Sequence, residues 1–109
     1  MSQEEQDLLK GENDDVDNTG PEYELRLFVT GASSNSVRAI SNLKRICETH
    51  LKGNYSLEII DVYQQKGIAE TEQIIAIPLL IKTLPLPKRR LIGDMSDENK
   101  VLLGLGIIA

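Results

Sequence analysis

The chain has 109 residues, a formal net charge of −5 and 40% hydrophobic residues, which allows one small domain of ordinary soluble composition. No apolar run reaches the roughly 18 residues of a membrane-spanning helix, and the acidic, polar N-terminus does not read as a secretory signal. Cys47 is the only cysteine, so an internal disulfide is excluded and a reducing, cytoplasmic setting is expected.

The charge is unevenly spread. Glu4, Glu5, Asp7, Glu12, Asp14, Asp15 and Asp17 face Lys10 alone in residues 1–20, and the rest of the chain is nearly neutral. So polar a segment cannot bury enough surface to offset its ordering entropy. Residues 1–20 are predicted to be a disordered, solvating tail, and residues 21–109 to form the folded domain.

In that domain, Tyr23 to Thr30 alternates as a strand does, with Phe28 breaking the two-face pattern, so both faces of its far end should be covered. Ser33 to Ser36 offers N-caps for a helix whose apolar positions are Val37, Ile40, Leu43, Cys47 and Leu51. Lys52-Gly53 ends it. Leu57 to Val62 makes a second strand, and the helical crossover predicts that it runs parallel to the first. Ile68 to Ile75 reads as a short helix. The run Ile74-Ile75-Ala76-Ile77-Pro78-Leu79-Leu80-Ile81 puts a proline directly before a strand, marking a stiffened, cis-compatible turn. Leu79 to Leu84 and Lys88 to Ile92 flank Pro85-Leu86-Pro87 as an antiparallel pair. Ser96 is expected to cap a last helix, with Asp97 and Glu98 suiting its dipole. The order is βαβ-α-ββ-α, an α/β thioredoxin-like layout with a mixed four-stranded sheet. Thioredoxin-like oxidoreductases place Cys-x-x-Cys opposite the cis-proline, but Gly31-Ala32-Ser33-Ser34-Asn35-Ser36 stands there instead. The scaffold lacks the chemistry, which points to recognition rather than catalysis.

Individual residues support no enzyme. Cys47 falls on the apolar face of the first helix, where a structural thiol is expected. His50, the single histidine, has no metal-binding cluster around it. Ser33, Ser34 and Ser36 have no base placed beside them and read as caps. No phosphate loop is present, and neither cofactor nor metal is expected. Lys82, Lys88, Arg89 and Arg90 on the last two strands, with Arg38, Lys44 and Arg45 on the first helix, suit either a solvated, charge-defended sheet edge or a docking surface for an acidic partner. Nucleic acid is not expected, because the domain is nearly neutral and has no aromatic stacking platform.

Several stretches together resemble the KaiB family of bacterial clock proteins: Tyr23 to Gly31, Asn35-Ser36-Val37-Arg38-Ala39, Gly53 to Val62, Ala76-Ile77-Pro78-Leu79-Leu80, Leu84 to Ser96, and Lys100 to Leu105. The resemblance spans about residues 22–108. It implies a non-enzymatic, cytoplasmic regulator that binds a KaiC-type ATPase and kinase and can engage a KaiA-like protein. It further implies two folds: a thioredoxin-like monomer, and a dimeric or tetrameric ground state with a rearranged C-terminal half. Positions tied to partner binding in the family fall on Arg38, Lys82, Arg89 and Arg90. Pro78, Gly104 and Gly106 are the positions expected to determine the fold. Glu58 and Gln73 stand where cyanobacterial members carry lysines, and Gly106 replaces an aspartate. A timing or stress role outside a full circadian oscillator is therefore expected.

Two other classes remain open. A glutathione-binding module could use Ile77-Pro78-Leu79-Leu80 for the tripeptide backbone and Ser96 at a helix N-terminus for its carboxylate. An oligomerisation or scaffold module is the third. The chain from Gly53 onward is built of short apolar runs that period alone does not assign, and Leu102 to Ile108 mixes leucines with two glycines and β-favouring isoleucines. Gly104→Ala is therefore expected to favour the last helix by up to about 1 kcal/mol. Thiol–disulfide exchange uses a pair of thiols, so the protein is expected not to stimulate insulin reduction by dithiothreitol. Stimulation that disappears in Cys47→Ser would overturn this.

Overall fold

The computed structural model describes residues 20–65, 67–74 and 76–108. The tail expectation for residues 1–20 thus falls almost wholly outside them. Strand β1 (Tyr23–Val29) leads into helix α1 (Ser34–His50), strand β2 (Tyr55–Asp61), the single turn α2 (Ile68–Thr71), strands β3 (Leu79–Leu84) and β4 (Arg89–Ile92), and helix α3 (Glu98–Leu105). The sheet order is β2-β1-β3-β4. β1 runs parallel to β2 and antiparallel to β3, and β3 runs antiparallel to β4, as the connection lengths require. The Ile77–Pro78 bond is cis. Among the described residues no helix is long and apolar enough to cross a membrane.

β1 is buried on both faces, as Phe28 implied. Leu25, Leu27 and Val29 join Leu80 and the inward sides of α1 and α3 in the larger core. Phe28 joins Ile60, Leu79 and Ile81 in a smaller cluster on the opposite face, where Val62, Ile68 and Ile74 pack.

Three local expectations are corrected. The inward side of α1 is Ser36, Ala39, Leu43, Ile46 and Cys47, while Val37 is 52% exposed. The apolar stripe is rotated because Ser36 turns inward to serve the preceding loop: its Oγ accepts from the Thr30 amide at 3.0 Å. The helix predicted over Ile68 to Ile75 closes after Thr71, because Gln73 has a positive φ of 55° that α-helix does not allow. The cap of α3 is Asp97, which accepts from the Lys100 amide at 3.2 Å, and not Ser96. One carboxylate there both satisfies an orphan amide and opposes the helix dipole.

The two glycines of α3 differ. Gly106 ends the helix at φ 79°, a left-handed position that glycine occupies without penalty. Gly104 lies where α3 crosses β4. A Cβ there would stand 2.5 to 2.9 Å from the Leu91 side chain. The expected entropic gain of Gly104→Ala is therefore opposed by overpacking, and Leu91 must move before the gain is realised. In a Leu91→Ala background, Gly104→Ala is expected to be more favourable by about 1 kcal/mol than in the wild type. A double-mutant cycle of urea unfolding checks this, and additive effects would show that the contact costs nothing.

Candidate partner-binding surface

Four cations, Arg38, Lys82, Arg89 and Arg90, carry the expected docking surface, and the fold separates them. Arg38 projects from the first turns of α1. Its Nε donates to Asp94 Oδ2 at 3.1 Å, and its guanidinium also reaches Asn35 Oδ1. Asn42 Nδ2 adds a bond to the Asp94 carbonyl at 3.0 Å. Arg38 thus ties α1 to the loop before α3, at the end of the sheet where β1 finishes.

Lys82 and Arg89 lie at the other end, directly opposite each other across β3 and β4. Lys82 is only 4% exposed, which corrects its placement on a solvated edge. Strand alternation puts it on the Leu80 face beneath α3, with its Nζ 3.9 Å from where a Cβ on Gly106 would be. The ammonium therefore meets the carbonyl end of α3, the favourable end for a cation. Burial first, and the Arg89 guanidinium second, hold its pKa below the ordinary lysine value. Arg89 is exposed, and among the described residues it makes no ion pair or side-chain hydrogen bond.

Arg90 points to the opposite face. Its guanidinium donates to the Gln73 carbonyl at 3.0 Å and to the Glu72 carbonyl. Arg26 works beside it, pairing with Glu72 at 3.2 Å and Glu58 at 3.7 Å, with its guanidinium 5.0 Å from the Phe28 ring centre. Two arginines therefore hold the end of α2 over the smaller core. Glu58 and Gln73 are part of this clamp. Arg26 and Glu72 were missed in the sequence, although Arg26 at two residues from Phe28 places both side chains on one sheet face.

The loop that faces Pro78 holds hydroxyls in a closed network. Ser33 Oγ caps α1 by accepting from the Ser36 amide at 3.2 Å and donates to Ser36 Oγ at 2.9 Å. Ser34 opens the helix and is exposed. Cys47 is buried, and desolvation, then Glu48, push its thiol up to about 12, far from a reactive thiolate. His50 Nε2 meets Glu98 Oε2 at 3.2 Å. Among the described residues no cluster of ligands suits a metal ion.

The surface near Ser96 is a depression of about 190 Å³ lined in part by Leu91, Asp94, Ser96, Asp97 and Lys100. It does not suit a glutathione carboxylate. The Ser96 amide already donates to Asp94 Oδ1 at 3.0 Å and the Lys100 amide to Asp97, so two donors are taken and two carboxylates stand where a third would have to enter.

Hydrogen bonds from Ser96, then from Arg38, hold the Asp94 carboxyl below its ordinary value, and those from Arg45, then His50, do the same for Glu98. Both carboxylates fasten α1 to the α3 end of the chain. A folded-state pKa below the unfolded one gives stability that is present above the ordinary carboxylate range and lost as pH falls through the folded value. Urea midpoints are therefore expected to drop as pH is lowered from about 5 towards 2, and less steeply in Arg38→Ala combined with Arg45→Ala. Equal slopes in both proteins would remove these pairs as the cause.

The arrangement has known counterparts. The KaiB domain matches residues 26–107. The circadian clock oscillator protein KaiB of Picosynechococcus sp. is 51% identical over 86 residues, covering 79% of this chain and 83% of that protein. Among solved structures, the N-terminal domain of Synechococcus elongatus SasA superposes with a TM-score of 0.67 at 23% identity, covering 86% of this chain and 92% of that one. Mitochondrial thioredoxin 3 of Saccharomyces cerevisiae superposes with a TM-score of 0.64 at 12% identity, covering 81% and 80%. The fold is thioredoxin-like, and by sequence the chain belongs to the KaiB family.

Proposed function

We propose that this protein is a non-enzymatic, cytoplasmic regulator that binds a KaiC-type ATPase or kinase and modulates its state in timing or stress adaptation. The observation that carries this is the KaiB match over residues 26–107 on a thioredoxin-like scaffold whose Pro78-facing loop offers only hydroxyls and an amide. Such a scaffold keeps the shape of an oxidoreductase while its one thiol is buried and protonated, so recognition is what remains. The glutathione alternative is disfavoured by the occupied donors around Ser96.

Within this proposal the four cations divide their work. Arg89 is the exposed contact for an acidic partner surface, and Lys82 behind it raises the local positive potential. Arg38 and Arg90 act on binding by holding Asp94 and the end of α2 in place. We also infer the homo-oligomeric ground state and second packing implied by the family, with Pro78, Gly104 and Gly106 among its determinants. The half from Gly53 onward suits such a change, because α2 buries no side chain and the smaller core is built around four buried residues. A KaiA-like partner is part of the same proposal.

The purified protein is expected to bind a KaiC-type ATPase from its own cell, and Arg89→Glu to weaken that association by about 1–3 kcal/mol with an unchanged circular dichroism spectrum. Calorimetry with the purified pair measures both. Absence of binding would overturn the function, whereas wild-type affinity in Arg89→Glu would overturn only the surface.

A further inference from the structure

An apolar, cationic turn stands at one end of the sheet, and an excess of acid at the start of the chain. The turn between β3 and β4 carries Leu84 at 38% and Leu86 at 76% exposure, followed by exposed Lys88 and Arg89. Arg89 stands across the strand pair from buried Lys82, a like-charge juxtaposition that is destabilising unless an anion offsets it. Among the described residues no carboxylate pairs with Lys82, Lys88 or Arg89. Gly106, the residue against Lys82, has no side chain to offer.

The chain enters the fold at this same end. Glu24 is the register partner of Leu84, so Tyr23 begins β1 beside the turn. Glu22 and Tyr23 are fixed there by Asn54, through bonds of 2.9 and 3.2 Å to its side chain and carbonyl. Residues 1–19 precede that anchor with seven acids and one lysine, and they carry the apolar pair Leu8-Leu9 between Asp7 and Glu12. An arm of this length reaches at most about 65 Å, many times the strand spacing that separates its root from the turn. Tethering also raises its effective concentration at the turn to the millimolar range.

The geometry points to residues 4–17 as an intramolecular ligand for the turn, with acids at Lys88 and Arg89 and Leu8-Leu9 against Leu84 and Leu86. The arm offsets the cationic pair and covers two exposed leucines. Docked there, it competes with any acidic partner for Arg89. That regulatory consequence rests on the function proposed above, but the docking itself does not.

The test uses the full chain and no partner. A nitroxide at Gln6→Cys labels one site, because the buried Cys47 thiol, with a pKa pushed up to about 12, does not react. At low salt the amide signals of Leu86, Lys88 and Arg89 are expected to lose intensity and to recover at roughly 0.5 M NaCl, where screening is short-ranged. They are also expected to recover in Lys88→Glu combined with Arg89→Glu. At a dilution where size exclusion shows a monomer, mixing the labelled chain with isotope-labelled, unmodified chain is expected to produce no loss. Absence of broadening at low salt, broadening centred elsewhere on the domain, or transfer of the effect to the second copy would each overturn the proposal. None of these outcomes bears on whether a KaiC-type protein is bound.

Discussion

The structure depends on burying both faces of β1. Leu25, Leu27 and Val29 project to one side and Phe28 to the other, and all are almost fully enclosed. A central strand with two apolar faces needs two neighbouring strands and a cover on each side. β2 and β3 supply the neighbours. α1 and α3 supply one cover with ordinary apolar packing, and α2 supplies the other.

The two covers are of different quality. On the larger face Ala39, Leu43, Ile46, Val101, Leu102 and Leu105 meet the sheet directly. On the smaller face α2 is one turn long and contributes only the partly buried Ile68. Its place is fixed instead by Arg26 and Arg90, which grip Glu72 and the carbonyl groups behind it. Charged clamps of this kind are weak when exposed, so the cover over Phe28 is easier to release than the one over Leu27. A chain that keeps α1 and β1 and repacks the rest would start there.

Charge does structural work at three of the four positions where a binding surface was expected. Arg38 joins α1 to the Asp94 loop, Lys82 meets the end of α3, and Arg90 holds α2. Substituting any of these changes the fold's supports as well as its surface. Arg89 is the position where surface charge separates from support, which makes it the informative one for partner binding.

Much of this was legible in the sequence, for reasons that are local. Alternation placed β1, helical spacing placed α1, and the short Pro85-Leu86-Pro87 connection made β3 and β4 antiparallel. These signals act over a few residues, where period and turn chemistry suffice. The missing Cys-x-x-Cys, with its hydroxyl replacement, already directed function away from thiol exchange. Only the tertiary structure decided what depends on distant neighbours. It turned Ser36 inward and Val37 outward, moved the α3 cap to Asp97, and ended α2 at Thr71. It buried Lys82, set Gly104 against Leu91, and gave Arg89 and Arg90, which strand alternation already sends to opposite faces, different tasks. A residue's type fixes the interactions available to it, but which of them is made depends on atoms brought near by the fold, such as Asp94 at 56 residues from Arg38.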